Sequence, residues 1–303
     1  MKYIKYIVVL FFCGWMTTTT AQRYENKEYK SEEIIKEELT FLRNSPNNIV
    51  VVDNVYGSID VEGYEGSTIQ IEVIKKIYAD TQEELQKGKE EIGMKSVKKD
   101  DAVYIYMDSP YSTFDLETGQ FEHREYYNSY KRSYEHRKKR MYRYQMDFKV
   151  RVPKNSSIDI KAVNDGDITI KNVQGKLLIV HNINGAIEMT NVSGQTDVNA
   201  LNKDISITYA ENPTEESWYR SLNGDIKIFF KEDLDASISY KTLNGGFYTN
   251  FEVEKTNPIY KTSEETRSKG TKYKINSNRH FKIGNGKVHL HFDQLNGDAI
   301  VKK

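Results

Sequence analysis

The sequence predicts an all-β fold: a β-solenoid, or β-helix-like stack of short strands, with coils of about 20 residues. Three observations predict it. Asn164, Asn184, Asn202, Asn223 and Asn244 recur at spacings of 20, 18, 21 and 21 residues, each preceded by an apolar residue, and Asn296 repeats the unit. A short alternating segment follows most of these turns, as at Ile168 and Ile170, Ile187 and Met189, Ile205 and Ile207, and Ile226 and Ile228. A second, weaker turn falls between the first members, around Gly175 and Gly194.

Asn and Gly tolerate positive φ and turn the chain sharply. The Ile-x-Ile segment after the turn presents two apolar side chains on one face and a polar one on the other. One such unit cannot bury its apolar face alone, whereas stacked units can. Stacking predicts one apolar ladder from Ile168, Ile187, Ile205, Ile226 and Phe247. It predicts a second from Val163, Ile183, Leu201, Leu222 and Leu243, and an amide ladder from the Asn series. The alternative is a β-sandwich or barrel, because Asn-Gly is also a strong hairpin turn.

Residues 1–21 read as a secretory signal peptide. Lys2 and Lys5 open it, Ile7 begins an apolar run that ends at Phe12, and Ala21 offers the cleavage point. That run is too short to span a bilayer comfortably. Cys13 lies inside it, but Phe12 occupies the place where lipid attachment wants a small residue. Cleavage after Ala21 leaves 42 basic and 44 acidic residues and no cysteine, and a cysteine-free chain suits an oxidising or extracytoplasmic compartment.

Residues 22–46 form a lead-in, ambiguous between helix and strand over 31–42. Residues 47–153 read as an irregular β region. Ile49, Val50, Val51 and Val52 make a strand, and the turn-strand motif recurs at 55–61 and 66–73. Residues 80–93 predict one amphipathic helix lying across a sheet edge at the end of the stack. Thr81 and Glu84 supply a capping box, Leu85 and Ile92 share a face, and Gly93 stops it. Residues 102–107 and 144–152 read as strands, with a Tyr/Arg-rich insert over 111–144. Residues 154–303 form the regular repeat region, interrupted by a polar insert over 257–278.

The overall charge is zero, with 44 Lys+Arg against 44 Asp+Glu, which argues against a chain-wide nucleic-acid binder. A single Cys excludes an intramolecular disulfide framework, and its place inside the signal segment excludes cysteine-nucleophile chemistry. The insert concentrates basic and aromatic side chains: Tyr126, Tyr127, Tyr130, Lys131, Arg132, Tyr134, Arg137, Lys138, Lys139, Arg140, Tyr142 and Arg143. These residues form the candidate ligand-contact loop, for an anionic glycan, a membrane surface or an envelope protein rather than nucleic acid. The bland reading is a solvated loop that keeps the protein soluble.

His289 and His291 alternate on one strand and share a face about 7 Å apart. With Asp293 assigned to the opposite face and no third ligand evident, no metal and no cofactor are expected. Asp165, Asp167, Asp204, Asp225 and Asp298 read as turn formers, not Ca²⁺ ligands. No hydrolase, phosphate-loop or metalloprotease motif occurs, and no catalytic residue is nominated.

The strand Val150, Arg151, Val152, Pro153, followed by Gly166, Asp167, Ile168, Thr169, Ile170, resembles the bacterial putative-adhesin family of β-strand-repeat domains, over roughly residues 47–301. The resemblance implies an exported solenoid-like β domain of largely unknown function and carries over no catalytic residues. The expectation is therefore an exported, non-enzymatic β-repeat protein. Its role would be adhesin-like binding or scaffolding in the periplasm, at the outer envelope surface or outside the cell. The alternatives are an envelope component that binds a protein partner, and a polysaccharide-processing β-helix enzyme.

Overall fold

A computed structural model describes residues 27–115, 120–123, 142–255, 263–267, 270–274 and 279–303. The signal segment 1–21 and most of the Tyr/Arg-rich insert lie outside the described residues.

The first part of the chain forms β1 (Tyr29–Leu39), β2 (Ile49–Tyr56), β3 (Ile59–Tyr64), β4 (Ile69–Ala79), α1 (Gln82–Glu91), β5 (Gly93–Lys99) and β6 (Ala102–Asp108). The insert carries β7 (Ser112–Asp115) and β8 (Gln120–His123), and β9 (Tyr142–Pro153) follows. The repeats supply β10 (Ser157–Asn164), β11 (Ile168–Lys171), β12 (Leu177–Asn182), β13 (Ile187–Val192), β14 (Gln195–Ala200) and β15 (Ile205–Tyr209). Next come β16 (Ser217–Asn223), β17 (Ile226–Phe229), β18 (Ala236–Lys241) and β19 (Phe247–Thr249). The last are β20 (Glu254–Lys255), β21 (Ser263–Arg267), β22 (Gly270–Lys274), β23 (Arg279–Ile283), β24 (Val288–Asn296) and β25 (Ala299–Lys302).

Two long sheets enclose one core. The first runs β1-β4-β9-β3-β11-β13-β15-β17-β25-β19, and the second β20-β23-β18-β24-β16-β14-β12-β10-β2-β6-β5. From β9 to β19, and from β6 to β18, every neighbouring pair is parallel. Each coil is therefore one strand of the second sheet, an Asn corner, and one strand of the first. The solenoid expectation holds, and the sandwich alternative of folded-back neighbours fails: antiparallel pairs join β4 to β9 and β1, β5 to β6, and β23 to β18 and β20, with separate hairpins β7/β8 and β21/β22.

The coils do not stack in chain order. β2 and β3 lie between the coil of β6 and β9 and that of β10 and β11. At the other end, β24 and β25 lie between the coil of β16 and β17 and that of β18 and β19. Segments near both chain ends thus fill interior slots, and each gains a neighbour on both sides.

The first predicted ladder is present. Ile59, Ile168, Ile187, Ile205, Ile226, Ala299 and Phe247 align in register, with Ala299 inserted by the coil exchange. All but Phe247 are fully buried. The second predicted ladder is also in register but faces the wrong way for a core. Ile183, Leu201, Leu222 and Leu243 are exposed, as is Leu295 beside them. Parity explains the error. Each follows the inward residue of its strand (Asn182, Ala200, Ser221, Thr242, Gln294), so the pleat turns it outward.

The corner amides form a continuous ladder. Asn184 donates to Asn164 (2.7 Å), Asn202 to Asn184 (2.8 Å), Asn223 to Asn202 (3.3 Å), Asn296 to Asn223 (2.8 Å) and Asn244 to Asn296 (2.9 Å). A carboxylate ladder runs beside it. Asp147 accepts from the Ser58 backbone (3.0 Å), Asp167 from Ala186 (2.8 Å), Asp204 from Asp225 (2.9 Å), Asp225 from Asp298 (3.0 Å) and Asp298 from Gly246 (2.8 Å). The turn aspartates thus bind the next coil's backbone, in keeping with their reading as turn formers. Positive φ is not what the corner glycines supply in general. Gly185 and Gly245 lack it, but a Cβ on either would lie 1.9 Å from the carbonyl oxygen of the neighbouring coil.

The helix forms where predicted. The Thr81 side chain accepts from the Glu84 backbone (3.2 Å), and Leu85 and Ile92 are buried together. It packs on β4, β9 and β1, with Gly88 against Ile77 and Tyr142. Its last turn is held by buried Lys75, whose Nζ donates to the carbonyls of Lys89 (3.0 Å) and Ile92 (3.1 Å) and pairs with Glu33. Gly93 opens β5 instead of ending a left-handed cap, since Ile92 is already extended. The ambiguous 31–42 segment is strand β1 as far as Leu39, and its charged alternation protects the edge of the first sheet.

At the β6 end, Phe114 lies against Tyr104 and Tyr106 (centroids 5.0 and 4.9 Å), on the outer face where Asp53 is paired with Tyr106 in register. Asp53 is buried, and desolvation pushes its carboxyl up to about 7, Lys161 opposing the shift and Asp159 adding to it. A raised acid pKa means that the folded state binds more protons than the unfolded one between pH 4 and 7. Stability is therefore lost as pH rises through that window. Asp53→Asn removes this loss. The variant should gain on the order of 2–4 kcal/mol over the parent at pH 8, with the gap closing toward pH 4, in paired urea titrations.

Candidate functional site

A shallow groove of about 280 Å³ lies on the outer face of the second sheet. Three adjacent strands, β16, β24 and β18, supply it. Their register sets two transverse rows: Trp218, His291 and Ser239, then Arg220, Asp293 and Lys241. Alternation along each strand puts these residues outward while Tyr219, Phe292 and Tyr240 enter the core.

The Trp218 ring stacks on the His291 imidazole, with centroids 5.5 Å apart and planes within 8°. Arg220 donates to Asp197 (2.6 Å), and Lys241 to both oxygens of Asp293 (3.0 and 3.1 Å). Burial pushes the Asp197 carboxyl up, but His181 and Arg220 outweigh it and hold the group below its ordinary value. The floor is thus an aromatic plate flanked by cation–carboxylate pairs, each with donors and acceptors facing solvent. Such a surface stacks on an apolar ring face and hydrogen-bonds hydroxyl or carboxylate groups around it.

Glu216 lies just ahead of β16, and His291 Nε2 is 2.6 Å from its Oε1. The His289 and His291 rings are 5.3 Å apart. His280, on β23, has its imidazole pushed down by burial and by the charges of His289 and His291. Asp293 does not face away as expected. Residues of equal parity point the same way, so it shares the outward face of His289 and His291, where Lys241 takes it up.

Of the predicted contact loop, Tyr126, Tyr127, Tyr130, Lys131, Arg132, Tyr134, Arg137, Lys138, Lys139 and Arg140 lie outside the described residues. Tyr142 sits in β9 with its ring in the core, 2% exposed, and its hydroxyl bonded to Glu91. Arg143 is on the exposed face of the same strand. The groove escapes sequence reasoning because its strands are not consecutive. Its trace in the sequence is a pair of alternations, Glu216, Trp218, Arg220 and His289, His291, Asp293, whose adjacency no local pattern reveals.

No helix among the described residues is long and apolar enough to cross a membrane. No curated protein matches the sequence. Two solved structures are similar over most of their length. One is a putative cell adhesion protein from Clostridium sporogenes ATCC 15579, 12% identical, with a TM-score of 0.42 over 90% of this chain and 99% of that one. The other is a putative adhesin from Bacteroides fragilis NCTC 9343, 9% identical, with a TM-score of 0.36 over 88% of this chain and 96% of that one. The family described as Toastrack DUF4097 matches residues 147–296, from the first carboxylate of the corner ladder to an asparagine of the amide ladder. This agrees with the adhesin-type β-repeat resemblance carried by the Val-x-Val-Pro strand and the Gly-Asp-Ile turns, and the stretch 147–296 of this chain is similar to the Toastrack DUF4097 family.

Proposed function

We propose that the protein is an exported, non-enzymatic binding module of the bacterial envelope or cell surface that holds glycans on the outer face of its second sheet. The observation that carries this reading is the groove itself, an aromatic plate between two cation–carboxylate pairs on strands that bury their other faces in a continuous core. A ladder held by core and corner bonds keeps these side chains in place at little entropic cost on binding. The basic and aromatic insert over 111–144 is proposed as an additional contact for anionic ligands.

The test is a glycan panel followed by calorimetry on the best ligand. Trp218→Ala should weaken binding about 10-fold, the loss of one stacking contact, with the denaturation midpoint unchanged. Deletion of 131–140, which leaves β9 and its buried Tyr142 intact, should weaken anionic ligands selectively. Equal binding by the parent and Trp218→Ala would overturn the groove as the site. A second reading, a protein partner, draws on the exposed row of Ile183, Leu201, Leu222, Leu295 and Leu243 beside the groove. A stoichiometric envelope protein captured by both variants would favour it.

A further inference from the structure

We infer that Glu216, His289 and His291 form a binding site for a divalent transition-metal cation of the zinc class. The ligand atoms of the three side chains all lie within 4.8 Å of one another. Two imidazoles and one carboxylate form the donor set that Zn²⁺ and similar borderline cations take, at about 2.0–2.2 Å from each atom. Tetrahedral bonds of that length place ligand atoms about 3.3 Å apart. The 2.6 Å His291–Glu216 hydrogen bond opens to that spacing as the metal displaces its proton, and the wider pairs, all within 4.8 Å, close to it.

The arrangement has support beyond proximity. His289 and His291 are held two residues apart on β24, and β24 is clamped between β16 and β18 by parallel pairing on both sides. The stacked Trp218 ring fixes the plane of His291. Glu216 reaches His291 from the neighbouring coil, so the site exists only because the last coil enters the stack beside β16. Three protein ligands leave a further position open beside the groove, for water or for an oxygen of a bound ligand. A metal here would also join two coils that are distant in sequence and so stabilise the exchanged coil order.

This inference goes beyond the glycan reading and does not depend on it. The test uses the chain prepared without a histidine tag and stripped with a chelator, titrated with zinc chloride by calorimetry. The expected result is one Zn²⁺ per chain, with binding weakened at least about 100-fold in His289→Ala/His291→Ala. Glu216→Gln should weaken it by a smaller factor. His181→Ala, on the same sheet face beside Asp197, should leave it unchanged. The denaturation midpoint of the parent, and not of the double variant, should rise with zinc. No binding by the parent at millimolar zinc, or equal binding by the double variant, would overturn the site. Glycan binding by the parent measured in chelator-treated buffer reads the other proposal separately, since that binding needs the Trp218–His291 plate and not the metal.

Discussion

Phe292→Ala should lower the stability of the chain by about 3–5 kcal/mol, the cost of emptying a large core position. Phe292 is 1% exposed and lies against two coils at once. Its ring is 4.9 Å from Tyr219 of β16 on one side and 6.0 Å, edge-on, from Phe247 of β19 on the other. A stack in chain order would put this coil outermost, with one neighbour and a half-empty surrounding. Phe247→Ala supplies the contrast. That ring belongs to the coil that is actually terminal and is only half-buried, so its loss should cost about 1–2 kcal/mol less. Urea denaturation of the two variants beside the parent, followed by circular dichroism, decides the matter. A smaller loss for Phe292→Ala than for Phe247→Ala would contradict the exchanged order.

Gly185→Val should cost about 3 kcal/mol, from crowding and not from lost contacts. A Cβ at this position would lie 1.9 Å from the Gly166 carbonyl oxygen and 2.4 Å from Asn182 Nδ2. The first is backbone of the coil beneath and cannot swing aside. Relief requires the two coils to separate at the corner, which pulls on the Asn184–Asn164 amide bond and on the Ala186 N–H held by Asp167. Asn184→Ala removes one exposed amide bond without crowding and should cost only about 0.5–1.5 kcal/mol. Amide exchange should show faster opening around residues 164–168 and 184–187 in Gly185→Val than in Asn184→Ala. Parent-like stability of Gly185→Val would mean that the coils are not packed at this distance.

Much of this architecture was legible in the sequence, and the failures have identifiable causes. The period of the Asn turns located the corners, and the Ile-x-Ile segments located the strands of the first sheet. The capping pair Thr81 and Glu84 located the helix to within a few residues. Leu201 and Leu222 misled because an apolar residue at a fixed place in a repeat reads as core, whereas the pleat assigns its side by parity with the buried residue before it. The groove was illegible for a different reason. Trp218 and His291 are 73 residues apart; no local motif marks the first, the second reads as a strand histidine, and they gain meaning only as neighbours.

The sequence by itself determined the repeat, because each coil carries its own turn, its own strand pattern and side chains able to bond an identical neighbour. Only the tertiary structure decided the order of the coils. Every Asn corner offers nearly the same donors, acceptors and apolar steps, so local pairing energies hardly distinguish one neighbour from another. The choice falls to the packing of the whole stack, where the shapes of Phe292, Ala299 and Val301 fit between two existing coils and cover both.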